Sequence, residues 1–143
     1  MKIDVTQIET FLQEVDDTFP VPLSHKQDLH AFAVKLAQKA TICAEVQDGR
    51  ILSAVLGYKD DVVDNVGYIS VVATLRDAQG KGYASKQVKA FAARCEEKGL
   101  RGVHLYTAAT NLGAIRMYER LGFERWSLPD EPRPNDVHFV RWF

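Results

Sequence analysis

The sequence predicts a mixed α/β fold, and three observations predict it. Runs with apolar residues at helical spacing alternate with short runs rich in β-branched residues. Asp48-Gly49 lies between the strand-like runs 41–46 and 51–58, a strong hairpin signal. A long apolar run at 66–74 leads through a glycine-bearing loop into a helical run at 83–98 and then a strand at 102–107. Strands joined by such a crossover are expected to lie parallel.

The elements follow in order. Residues 2–5 read as a short strand, and Thr6 as the cap of a helix burying Ile8, Phe11, Leu12 and Val15. Pro20 and Pro22 prevent that helix from continuing. Ser24-x-x-Gln27 has the spacing of a capping box for a second helix, with Leu29, Phe32, Ala33 and Leu36 inward. The hairpin strands come next, then an acidic loop holding Asp60, Asp61 and Asp64. The run 66–74 is nearly all apolar, which predicts a central strand covered on both faces. The helix over 83–98 turns Val88, Phe91, Ala92 and Cys95 inward, and Gly99 follows its end. After the strand at 102–107, a short helix over 111–121 stops at Gly122. Two last strands, 123–127 and 137–143, flank a loop carrying Pro129, Pro132 and Pro134. The count is six or seven strands and about four helices.

Composition narrows the function classes. The 143 residues are 46% apolar and 26% charged, enough for one domain over 1–143 to bury its own core. A formal net charge of −1 provides no bulk field toward nucleic acid or an anionic membrane, so neither is an expected partner. The first residues have no apolar core of signal-peptide length, and no run approaches the ~20 apolar residues of a membrane span. A cytoplasmic location is therefore expected. Cys43 and Cys95 lie in apolar-periodic segments outside any C-x-x-C pair and read as small buried hydrophobes. His25, His30 and His138 have no ligand spacing, and no metal is expected.

The loop Gln79-Gly80-Lys81-Gly82-Tyr83-Ala84 joins the end of a buried strand to a helix. Glycines let backbone N–H groups converge on an anion, and a helix start adds unpaired N–H groups and a positive dipole end. Such a junction makes a pyrophosphate cradle. A Walker A loop would need Gly-Lys-Ser/Thr with a glycine five positions earlier, and Gly80-Lys81-Gly82 has neither. A dinucleotide fingerprint would need a third glycine where Ser85 stands, and an acidic residue near Thr107 is lacking. A purely structural glycine turn remains open on this loop alone. Further on, Asn111-x-x-Ala114-x-x-x-Tyr118-x-x-x-Gly122-Phe123 places Asn111 and Tyr118 two turns apart on one helix face.

Together these residues resemble the GNAT N-acetyltransferase superfamily. Gln79, Gly82 and Ala84 match its Q/R-x-x-G-x-G/A motif, and Asn111, Ala114, Tyr118, Gly122 and Phe123 match its second signature. The likeness is good over 67–123 and only outlined elsewhere. It implies a mostly antiparallel sheet splayed between two parallel central strands, with acetyl-CoA as co-substrate in the split. The amides of Gln79, Gly80, Lys81, Gly82, Tyr83 and Ala84 would hold the pyrophosphate. The edge of Val72, Ala73 and Thr74 would pair with the pantetheine arm, and an N–H near Val72 would hold the oxyanion. Asn111 would bond the cofactor, and Tyr118 would donate a proton or hydrogen bond to the leaving thiolate. An amine attacks the thioester directly, which calls for no nucleophilic residue or metal.

Two departures from the family pattern stand out. Tyr106 and Tyr68 occupy positions where relatives often carry a Glu base. His104 shares a strand face with Tyr106 and is the remaining candidate base, against a packed or exposed strand histidine. Phe19 and Leu23 lie where relatives build the acceptor pocket, and Tyr58 ends a strand near it; simple core packing is the competing reading. The acidic loop could attract a cationic amine, against a plain solvated loop, and Trp126 and Trp142 read as core. The expected reaction is acetyl transfer from acetyl-CoA to a primary amine. The rival is a non-catalytic acyl-CoA-binding sensor or interaction module on the same fold, and a longer acyl donor also stays open. The layout around Asp16 to Ser24 looks similar to bacterial GNAT proteins found with sugar-polymer enzymes, which puts an amino sugar first among acceptors. A polyamine, an antibiotic, a protein N-terminus and a homodimer remain open.

Overall fold

The computed structural model describes residues 2–128 and 133–143. The first helix, α1, spans Val5–Val15, and its cap is Asp4 rather than Thr6. Asp4 accepts from the Gln7 backbone N–H while the Gln7 side chain accepts from the Asp4 N–H, both at 2.9 Å. This reciprocal pair satisfies two donors at the helix start, and it replaces the strand expected over 2–5. The second helix, α2, spans Leu29–Lys39 and is capped by Asp28. Ser24 does not open it: Leu23–His25 form a single 3-10 turn, and the Ser24 hydroxyl and N–H both donate to Asp16, at 2.6 and 2.8 Å. These bonds hold the Asp16 carboxyl below its ordinary pKa and pin the loop between α1 and α2.

Strands β1 (Thr41–Gln47) and β2 (Arg50–Tyr58) form the expected hairpin, with Asp48 and Gly49 both at positive φ. Then come β3 (Val66–Thr74), helix α3 (Tyr83–Glu97), β4 (Gly102–Ala108), helix α4 (Leu112–Arg120), β5 (Glu124–Arg125) and β6 (Asp136–Trp142). The strand expected over 123–127 shrinks to the two residues of β5. Pro129 and Pro132 lie outside the described residues. The six strands run in the order β1-β2-β3-β4-β6-β5, antiparallel except for β3 and β4. The parallel pair is the one joined through α3, as the crossover requires.

The core lies in two layers. Ile8, Phe11, Leu12 and Leu36 of α1 and α2 pack on Leu56 and Val71 of one sheet face. Val88 and Phe91 of α3 and Tyr118 of α4 pack with Val103, Leu105 and Phe139 on the other. Cys43 and Cys95 are buried free thiols in this second layer, and burial raises Cys95 to about 11. No described helix is long and apolar enough to cross a membrane.

Candidate active site

The site begins as a defect in the sheet. β3 and β4 pair only from Val66–Gly102 to Ile69–Leu105, although β3 runs on to Thr74 and β4 to Ala108. The β2–β3 register shifts at this point: Leu56 faces Val71, but Gly57 faces Ile69. Ser70 is therefore an extra residue, a β-bulge that bends β3 away from β4. Among the described residues, the backbone edge of β3 beyond Ile69 is left without a strand partner on that side. Here the expectation of a strand covered on both faces fails. Tyr68, Ser70, Val72 and Thr74 are only half-buried, because they border a cleft of about 630 Å³ that fills the split.

At one end of the cleft lies the glycine loop. Gly80 and Gly82 both take left-handed φ values, +81° and +79°, which glycine adopts without steric cost. Gly82 is the N-cap of α3 and supplies no side-chain cap. The first bond into the helix runs from Lys86 N–H to Gly82 C=O. The N–H groups of Tyr83, Ala84 and Ser85 precede it, so helix geometry gives them no acceptor within α3. Gln79 braces the loop by donating to Thr74 C=O at 3.4 Å, and Thr74 is held in turn by Ser53 at 2.8 Å. Gln79, Gly80, Gly82, Tyr83 and Ala84 all line the cleft, with Lys81 exposed among them.

Helix α4 forms the next wall. Asn111 caps it, its side-chain oxygen accepting from Ala114 N–H at 3.3 Å, and Asn111 also lines the cleft. Tyr118 also lines the cleft but is only 4% exposed, its ring edge-on to Phe123 and tilted against Phe139. Burial pushes its phenol above the ordinary tyrosine range, so it keeps its proton.

The cleft passes through the split to the opposite sheet face. Phe19 and Leu23 form a wall there, on the loop pinned by Asp16–Ser24 and by Arg76, which donates to Asp17 C=O at 3.2 Å. Tyr68 and Tyr106 line the same half. Two expected residues do not. Tyr58 packs with the α1–α2 layer instead, its hydroxyl buried without a hydrogen-bond partner among the described residues. His104 lies behind the lining: its ring is 5.0 Å from Tyr68, and its Nδ1 shares a hydrogen bond with His138 Nε2 at 2.8 Å. The acidic loop also stands away from the cleft, with Asp60 paired to Lys98. Trp126 and Trp142 meet edge to face; Trp142 is 38% exposed rather than core. Among the lining residues that sequence reasoning missed are Lys26, Met117, Arg120, Arg133 and Asp136. None occupies a defined position of either motif.

Comparison with known proteins agrees with this geometry. A 63-residue stretch is 41% identical to a mycothiol acetyltransferase of Actinosynnema mirum, covering 44% of this chain and 21% of that protein. The chain thus spans about a fifth of the length of the curated relatives it matches. The ribosomal-protein-S18-alanine N-acetyltransferase of Escherichia coli superposes with a TM-score of 0.74 at 17% identity, over 96% of this chain and 86% of that one. A putative streptothricin acetyltransferase of Bacillus anthracis, solved with acetyl coenzyme A, gives 0.62 at 16% identity over 73% of this chain and 63% of that one. Those likenesses establish the shared fold. Residues 8–123 match the model of the acetyltransferase (GNAT) family. The match takes in both motifs and the split between β3 and β4, and the chain belongs to that family.

Proposed function

We propose that this chain transfers the acetyl group of acetyl-CoA to a primary amine by direct attack on the thioester. One observation carries the proposal: a single cleft in the sheet split is lined by an uncapped helix N-terminus, by the buried phenol of Tyr118 and by Phe19, Leu23, Tyr68 and Tyr106. The amides of residues 80–85 suit a pyrophosphate, which needs converging N–H donors and no side-chain bulk. The unpaired edge of Val72, Ala73 and Thr74 suits the amide groups of a pantetheine arm, bound as an added strand. Asn111 offers its amide nitrogen to the same arm. Acetyl-CoA would supply the thioester.

The chain's own residues then have three tasks. A backbone N–H near Val72 holds the carbonyl oxygen as negative charge grows on it. Tyr118 donates a hydrogen bond to the sulfur as the C–S bond breaks. Because burial makes the phenol a weaker acid, donation to the developing thiolate suits it better than early proton release. The proton lost by the amine leaves through water. His104 is engaged with His138 behind the lining, and Tyr68 and Tyr106 are poor bases at neutral pH.

A panel of amines assayed with acetyl-CoA for free thiol release tests the proposal, and acetylated product from at least one amine is the expected result. The water route makes a separate prediction. Alkyl amines are protonated at pH 7, so kcat/KM should climb with pH along the amine's own titration. His104→Gln should leave that profile in place. A limb in the imidazole range that disappears in His104→Gln would make His104 the base.

A further inference from the structure

The acceptor half of the cleft carries an arginine held in an unusual way. The Arg133 guanidinium lies 4.1 Å over the ring of Tyr106, and His138 stacks on that ring with centroids also 4.1 Å apart and planes 12° from parallel. Two groups this close cannot share one face, so the tyrosine is sandwiched between them. His138 is 6% exposed and is itself braced by His104 at 2.8 Å and by Trp126 at 5.1 Å. The stack therefore gives the Arg133 guanidinium a braced surface to lie on at the cleft, which Arg133 and Tyr106 both line.

The guanidinium keeps donor capacity there. Among the described residues its nearest carboxylate is Asp136, 3.8 Å away, too far for a hydrogen bond. Five N–H donors in a fixed fork match an oxyanion bidentately. Lys26 lines the same cleft as a second positive group. Both faces of Tyr106 are covered, so it has no open face on which a sugar ring could stack.

We propose that Arg133 binds an oxyanion on the acceptor, a carboxylate or a phosphate monoester attached near the amine that is acetylated. This rests on the acetyltransferase reading above and names the acceptor class for it. Matched pairs test it: phenylalanine against 2-phenylethylamine, and O-phosphoethanolamine against ethanolamine. Wild-type protein should prefer the anionic member of one pair in kcat/KM, and the pair that responds tells carboxylate from phosphate. Arg133→Gln should cut that preference about tenfold or more, through KM rather than kcat, the scale of a lost charge-assisted pair. Taking the ratio between wild type and variant cancels differences in amine basicity. Arg133→Lys, which keeps the charge without the fork, should restore part of it. Equal preference in wild type and Arg133→Gln would overturn the proposal. If no amine in the panel is acetylated, the acetyltransferase reading fails, and binding decides this one. N-acetylphenylalanine or O-phosphoethanolamine titrated calorimetrically into CoA-saturated protein should then bind wild type and weaken about tenfold in Arg133→Gln. Identical binding, or none to wild type, rejects it.

Discussion

Replacing Tyr118 with Phe is expected to lower kcat by about 10²–10⁴-fold while the acetyl-CoA KM stays close to wild type. Tyr118 is 4% exposed and lines the same cleft as the glycine loop, Tyr68 and Tyr106. Its ring packs on Phe123 and Phe139, and a phenylalanine ring keeps those contacts, so the fold should survive. Only the hydroxyl is removed. A bond made to a developing thiolate matters in the transition state and little in the ground state, which is why kcat should take the loss. Steady-state kinetics with thermal melts on the same preparations check this. An unchanged kcat with an intact fold would reduce Tyr118 to packing and favour a chain that binds acyl-CoA without turning it over.

Gly82→Val is expected to weaken CoA binding by an order of magnitude or more. Two causes combine. At φ +79° a β-branched residue is strained by the backbone alone, and relief of the strain would turn the N–H groups of the α3 start away from their common focus. A Cβ at Gly82 meets no protein atom within 4 Å, so it would enter open space beside the cleft that Gly82 lines. Gly99 is the matched control: φ is +88°, again with no atom within 4 Å, but at the far end of α3. Gly99→Val should lower the melting temperature by a similar amount and leave CoA affinity unchanged. Calorimetry that finds wild-type CoA affinity in folded Gly82→Val would remove the cradle from the loop. CoA should also raise the melting temperature of wild-type protein with its concentration, by mass action, and NAD should not.

Much of this protein is determined locally, and that part was legible in the residues. Periodicity placed α3, α4 and β1 to β4 within a residue or two, because each needs only its own apolar spacing and its own breakers, such as Asp48-Gly49 and Gly99. Gln79, Gly80, Gly82 and Ala84 of the glycine loop, with Asn111 and Tyr118, come to line one cleft, and their signals were legible for the same reason: a glycine-bearing strand-to-helix junction and a two-turn spacing are each contained in one stretch of chain. Errors came where two local signals competed. Ser24 has the spacing of a cap, but Asp16, eight residues away, takes both of its donors, and Asp28 caps α2 instead.

What only the tertiary structure decided is the half of the cleft lined by Phe19, Tyr68 and Tyr106. The bulge at Ser70 appears only when β2 and β3 are in register, and the bulge determines where the sheet parts. His104 shares a strand face with Tyr106, as alternation demands, yet His138 arrives from β6 and holds it behind the lining. Arg133 belongs to no motif and acquires a place at the cleft only because Tyr106, supported by His138, gives its guanidinium a surface to lie on. The sequence by itself determined the family and placed the glycine loop and Tyr118 on their elements, since those signals are written in short contiguous spacings. The half of the cleft lined by Phe19, Tyr68, Tyr106 and Arg133 is assembled from four separate segments, and only the packed sheet brings them together.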